Sequence, residues 1–110
     1  MSKLTDRQFE FTKDVVKLLD YTFNRGYYCS IGEVYRPPET AKIYAEKGIG
    51  IANSQHCSRL AIDIQLFSPE KIYLTLTSQY KFIGEFWEKL NPKNRWGGRF
   101  NDGNHFERIN

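Results

Sequence analysis

Only two histidines occur among the 110 residues, His56 and His105. Each is set in a polar segment: Ser54-Gln55-His56-Cys57-Ser58-Arg59-Leu60-Ala61-Ile62-Asp63, and Asp102-Gly103-Asn104-His105-Phe106-Glu107. Residues 60–67 alternate, with Leu60, Ile62, Ile64 and Leu66 on one side and Ala61, Asp63 and Gln65 on the other. That is the period of a strand with one buried face, and it turns Asp63 out toward a polar cleft. A second strand is expected around residues 105–109. If the two strands are neighbours in one sheet, Asp63 and His105 project from the same face roughly 5 Å apart at the backbone. His56, in the loop feeding the first strand, can then reach back over that face. Convergence of these three side chains requires two distant stretches of chain to lie side by side.

The remaining elements fit around such a sheet. Residues 5–25 read as an amphipathic helix, with Phe11, Val15, Leu18, Leu19 and Thr22 at helical spacing. Thr5 with Gln8 resembles a capping box, Leu4 and Phe9 are placed for a hydrophobic staple, and Gly26 supplies the stop. Residues 27–35 are rich in aromatic and β-branched side chains and predict a strand, broken by Arg36-Pro37-Pro38-Glu39. Pro38 can start a short helix through Glu46, ended by Gly48, and residues 48–53 form a loop. Residues 68–76 predict a turn and a short strand. Thr77 or Ser78 can cap a second clear helix, which puts Tyr80, Ile83, Phe86, Trp87 and Leu90 on one apolar face and ends at Asn91-Pro92. Arg95-Trp96-Gly97-Gly98-Arg99-Phe100 is a tight glycine-containing segment. Helices alternating with strands, one segment hairpin-like, predict an α+β domain.

Composition narrows the class. Hydrophobic residues at 40% and aromatics at 15% are enough for a single core, so residues 1–110 are expected to form one domain. The net charge of +3 is mild, and the basic residues are scattered without a groove-reading motif, which argues against nucleic acid. No run of about 18 apolar residues is present to span a membrane. The N-terminus lacks the apolar stretch of a secretory signal, so synthesis in the cytoplasm without that export route is expected. Cys29 and Cys57 can pair, but two cysteines make no disulfide framework. As a third metal ligand, Asp63 is better placed than Cys57.

Two imidazoles and one carboxylate give three ligands, the number a catalytic zinc ion keeps while leaving a fourth position for water. A structural zinc site is normally closed by four protein ligands, usually with several thiolates. The pattern therefore points to hydrolysis. Any one of these residues alone is more often a solvated or core side chain, and the weight rests on their combination with Asp102, three positions before His105. Asp102 before Gly103 is also an ordinary turn, but beside a ligand it is a candidate general base. Arg36, held extended by the proline that follows, offers a fork of donors for an oxyanion or a carboxylate. Ser54 can donate to substrate or to a ligand. Trp96, with its two glycines, can wall a cleft or fill the core. Glu107 can orient a ligand or lie on the surface.

Ser54-x-His56-x6-Asp63 followed by Asp102-x-x-His105-Phe106-Glu107 resembles the zinc peptidases that cleave the peptides of bacterial peptidoglycan. These are the D-alanyl-D-alanine carboxypeptidases and the L-alanyl-D-glutamate endopeptidases, many of the latter bacteriophage endolysins. The resemblance runs from Tyr35-Arg36 through Trp96-Gly97-Gly98 to Phe106. It implies a Hedgehog/DD-peptidase-like fold, a small mainly antiparallel sheet flanked by helices. It implies Zn2+ on His56, Asp63 and His105, with Asp102 as general base and Arg36 on substrate and oxyanion. A peptidoglycan peptide is then the expected partner, with Ser54 and Trp96 the candidates to contact it, and the protein is expected to act as a monomer at the bacterial cell wall. Two positions depart from many members: Arg59 stands where they have glycine, and Asp102 where they have glutamate, the latter shared with some phage members. Endopeptidase cleavage fits the small chain best. Carboxypeptidase activity, a zinc-ordered binding module of the same fold, and an iron oxygenase with a two-histidine, one-carboxylate triad remain as alternatives.

Overall fold

A computed structural model of the chain describes residues 3–51 and 54–110. Helix α1, Lys3–Asn24, buries Phe11, Asp14, Leu18 and Thr22, one residue per turn. It stops at Gly26, whose φ of +85° is a left-handed geometry that glycine enters without steric cost. The expected capping box at Thr5 does not form, because the helix already runs from Lys3 and Thr5 lies inside it. The Gln8 side chain instead donates to the Ser58 carbonyl at 2.8 Å, tying α1 to the loop that carries His56. Leu4 and Phe9 are both exposed. Helix α2, Pro38–Glu46, starts at a proline as expected. The loop expected over residues 48–53 extends beyond the described residues at Ala52 and Asn53.

Strands β1 (Tyr28–Ile31), β2 (Ala61–Phe67), β3 (Tyr73–Leu74), β4 (Asn94–Trp96) and β5 (His105–Arg108) form one sheet. Its order is β1-β2-β5-β4, with β3 also against β2, and every pairing is antiparallel. β1 is shorter than the strand expected at 27–35. Its backbone nevertheless stays beside β2 for two more residues, since Gly32 N–H donates to the Asp63 carbonyl at 2.7 Å and Asp63 N–H to the Glu33 carbonyl at 2.9 Å. β4 absorbs the start of the segment read as a tight glycine turn. Helix α3, Lys81–Leu90, follows a 3-10 turn over Thr77–Tyr80. The architecture is the expected α+β arrangement.

Alternation along β2 divides the sheet into two faces. Leu60, Ile62, Ile64 and Leu66 are almost fully buried and form the core with Phe106, Ile83, Trp87, Leu18 and Phe11. The Trp87 ring meets Phe11 edge-on at 5.6 Å and Phe106 at 6.2 Å. Its indole N–H donates to the Glu107 carbonyl at 3.1 Å, so the one polar atom of a core side chain has a partner. The opposite face of β2 and β5 carries Asp63, His105 and Glu107.

Candidate metal centre

The sheet register places two of the three expected ligands. Asp63 on β2 stands directly opposite His105 on β5, and Ala61 opposite Glu107. Because side chains alternate across a strand, His105 and Glu107 share a face with Asp63. The third ligand comes from a 3-10 turn over Gln55–Ser58 that feeds β2. Ser54 caps this turn, its hydroxyl oxygen accepting from His56 N–H at 3.2 Å. Arg59 closes it with φ 56° and ψ 38°, and its guanidinium lies 4.0 Å over the Tyr35 ring. A left-handed backbone of this kind disfavours a side chain, and Arg59 occupies it where the resemblance leads one to expect glycine.

His56 Nε2 and His105 Nδ1 each lie 3.2 Å from the same Asp63 Oδ1. The ligand atoms of the three residues all fall within 4.8 Å of one another. A tetrahedral ion with bonds of about 2.0–2.2 Å holds neighbouring donors roughly 3.3 Å apart, so the two short edges already match such a cage. The outer nitrogens of both rings are occupied by the protein. His56 Nδ1 donates to the Val34 carbonyl at 3.0 Å, and His105 Nε2 donates to Glu107 Oε1 at 2.6 Å. With both rings neutral and an ion at the common point, these outer bonds would leave the inner nitrogens bare to hold it. Glu107 is itself buried and is clamped by Arg95, whose Nε lies 2.8 Å and Nη2 2.5 Å from Oε2.

Without an ion, the three groups answer one another's charge. Burial pushes the Asp63 carboxyl up, but hydrogen bonds and charge from His105 and His56 outweigh it and hold the group down at about 2. Burial pushes His105 down, while Asp63 and Glu107 together raise it to about 9. Without an ion, a proton on His105 answers the negative field of two carboxylates.

The trio opens into a cleft of about 510 Å³ that also exposes Arg36, Ser54, Arg95, Phe100 and Asp102. Asp102 lies on its wall, where burial pushes the carboxyl up, Asp63 and Glu107 add to the rise, and the two imidazoles oppose it. Its backbone is pinned, with Asp102 N–H donating to the Gly97 carbonyl at 2.8 Å and His105 N–H to the Asp102 carbonyl at 3.1 Å. Gly97 is required by close approach: a Cβ there would collide with the Asp102 carbonyl and with His105. Arg36 sits across the cleft with its side chain paired to Glu33 and its guanidinium 5.1 Å from the Tyr44 ring centroid.

Trp96 does not wall the cleft. It is 7% exposed and belongs to the core, packed so tightly on Gly84 and Gly98 that a Cβ at either would run into the indole. Its Nε1–H donates to the Gly103 carbonyl at 2.7 Å, so it supports the Asp102–His105 loop from below. Ser54 lines the cleft, but its hydroxyl oxygen already holds the His56 turn. Cys29 and Cys57 form no disulfide with each other. Sequence reading missed Glu33, 3.8 Å from His56 Nε2, and Arg95. The Glu33–Arg36 spacing was an available signal for the first; Arg95 is set opposite Glu107 only by the pairing of β4 with β5.

Solved structures share this fold. The Serratia marcescens L-Ala D-Glu endopeptidase ChiX superposes with a TM-score of 0.73 at 19% identity, over 90% of this chain and 77% of that one. The vancomycin resistance D,D-pentapeptidase VanY, solved as an E175A mutant with Zn(II), gives 0.61 at 17% identity, over 91% and 71%. No curated protein matches at the sequence level. The family model for D-alanyl-D-alanine carboxypeptidase matches residues 47–108, more than half of the chain and the stretch holding His56, Asp63, Asp102 and His105, and the chain belongs to that family.

Proposed function

We propose that the chain is a zinc peptidase of the peptidoglycan stem peptide, cutting between L-alanine and D-glutamate. The carrying observation is the convergence of His56 Nε2 and His105 Nδ1 on Asp63 Oδ1 at the floor of an open cleft. The donor set of two nitrogens and one oxygen suits zinc, with one coordination position left over. A zinc ion held there supplies Lewis acidity and acidifies a water to a pKa near 7. The fold likeness to ChiX and VanY, and the Zn(II) held by the latter, support this reading.

The chain's own groups divide the remaining work. Asp102 accepts a proton from the attacking water and passes it to the amine nitrogen as the C–N bond breaks. Its place on the cleft wall beside the trio suits that role. Arg36 donates to the carbonyl oxygen as negative charge gathers on it, or to a substrate carboxylate. Glu33 holds its guanidinium in place. Glu107, braced by Arg95, keeps the His105 ring from turning. The site of action is the bacterial cell wall, with a lytic, endolysin-like role.

Mass spectrometry of purified peptidoglycan treated with the zinc-loaded protein tests this. The expected products are peptides beginning with D-glutamate, absent after chelation. Release of terminal D-alanine instead would establish the carboxypeptidase alternative. A zinc-loaded, folded protein that leaves the wall peptide intact would overturn the peptidase reading.

A further inference from the structure

The sheet face that holds the trio continues beyond it. Along β2, Gln65 and Phe67 share a face with Asp63, and Phe67 stands about 13 Å from Asp63, at roughly 3.3 Å per residue. Register sets Tyr28 of β1 and Tyr73 of β3 on either side of Phe67, so aromatic rings from neighbouring strands form one rung. Phe67 and Tyr73 lie 5.3 Å apart between ring centroids, and the Lys71 ammonium is 5.4 Å from the centre of the Tyr28 ring. Tyr28 and Tyr73 are 41% and 51% exposed. The adjoining pair, Leu66 and Leu74, packs toward the core on the opposite face. Between the rung and the trio, Ser30 is set opposite Gln65, its hydroxyl 3.4 Å from the Gln65 side-chain oxygen.

We propose that this rung is a docking platform for the glycan strand of peptidoglycan, continuous with the peptide cleft. The inference takes its substrate from the peptidase reading above and adds a second contact to it. A sugar ring of this polymer has apolar faces of C–H bonds and a rim of hydroxyl and amide groups. Exposed aromatic rings match the faces. Ser30, Gln65 and Lys71 offer donors and acceptors to the rim. The reach also agrees. The L-alanine of the stem is joined to its sugar through one lactyl group, and each of these units is about as long as one extended residue, ~3.5 Å. With the scissile bond at the trio, the first sugars therefore come level with the rung. Because the rings stand on bonded strands, little ordering is needed to bind.

Peptide-free glycan strands of alternating N-acetylglucosamine and N-acetylmuramic acid are the probe, titrated into the zinc-loaded protein by calorimetry. Wild type is expected to bind. Tyr28→Ala and Tyr73→Ala should each weaken binding by about fivefold to tenfold, the worth of one lost aromatic contact, and Tyr73→Phe, which keeps the ring, should retain it. Both tyrosines are exposed, so circular dichroism should show the fold unchanged. On intact peptidoglycan the alanine variants should raise KM, while kcat/KM on a soluble stem peptide without sugar stays at the wild-type value. Absence of glycan binding by wild type, or equal binding by the folded alanine variants, would overturn the platform. Self-association that the variants abolish, without glycan binding, would give the rung to a second copy of the chain and overturn it as well. Glycan binding weakened in the variants, with no peptide cut by any of the proteins, would sustain the platform and defeat the peptidase reading alone.

Discussion

His105 and Arg108 open and close β5, and both are buried among acidic groups. Arg108 Nη2 lies 2.5 Å from Asp14, its Nε 2.6 Å from Asn94 Oδ1 and its Nη1 3.2 Å from Glu10. The Asn94 amide completes the cluster, donating to Asp14 at 3.1 Å and to the Trp87 carbonyl at 3.0 Å. Hydrogen bonds close on protein atoms there, and the cluster staples the end of the chain to α1. Around His105 the outer bonds close in the same way, through Glu107 and Arg95, but the inner ring nitrogen and that of His56 converge on one carboxylate oxygen at the floor of a cleft. Burial of charge is common to both places. Only the second leaves donor atoms aimed at a shared point that a cation can enter.

Two substitutions separate the clusters. His105→Ala is expected to abolish turnover of wall peptide and zinc retention, as read by metal analysis of the purified protein. Asp14→Ala leaves Arg108 buried without its main partner, which costs about 3–5 kcal/mol of stability and is read by urea unfolding. The fraction that remains folded should keep its zinc and its kcat. Loss of zinc from folded Asp14→Ala protein would break the distinction between staple and site.

A weaker effect, on rate alone, is expected at Asp102. Asp102→Asn should retain zinc and fold while lowering kcat by about 10²-fold or more, the usual cost of a lost general base. Near-normal turnover would leave Asp102 as a turn residue that merely borders the cleft.

Much of this was legible in the sequence because it followed from period and register. Alternation over residues 60–67 fixed which side of β2 is buried. With two histidines in the whole chain, the partners of Asp63 were nearly determined. α2 began at Pro38 because a proline there is already shaped for a first helical turn. Other features depended on tertiary contacts that no local pattern encodes. Gln8 looked like half of a capping box, but its amide reaches across to Ser58. Trp96 next to two glycines reads equally well as a cleft wall or as a ring clamped between close backbones. The second holds because Gly84 of α3 and Gly98 leave room for the indole on both sides. Arg95 became visible only once β4 was known to pair with β5. Glu107 was open between ligand support and surface, and the direct hydrogen bond to His105 decides it.

The smallest effect concerns Arg59, where the loop holding His56 meets β2. Its φ of 56° costs an L-residue roughly 1–2 kcal/mol, and stacking on Tyr35 at 4.0 Å returns about 0.5–1 kcal/mol at an exposed site. Arg59→Ala discards the stacking and keeps the disfavoured backbone, so it should lose about 0.5–1 kcal/mol. Arg59→Gly also discards the stacking but removes the steric penalty. It should therefore be the more stable of the two by about 1 kcal/mol, and close to wild type. Unfolding midpoints of the two variants in the same buffer test the order. Zinc content should be unchanged in both, since His56 is oriented by Ser54 and the Val34 carbonyl and not by the side chain at 59. If glycine proved less stable than alanine, the left-handed turn would not be what selects glycine at this position. Loss of zinc from both variants would instead make the Arg59–Tyr35 contact part of the frame that aims His56, and the open cluster would then depend on its surface more than the closed one does.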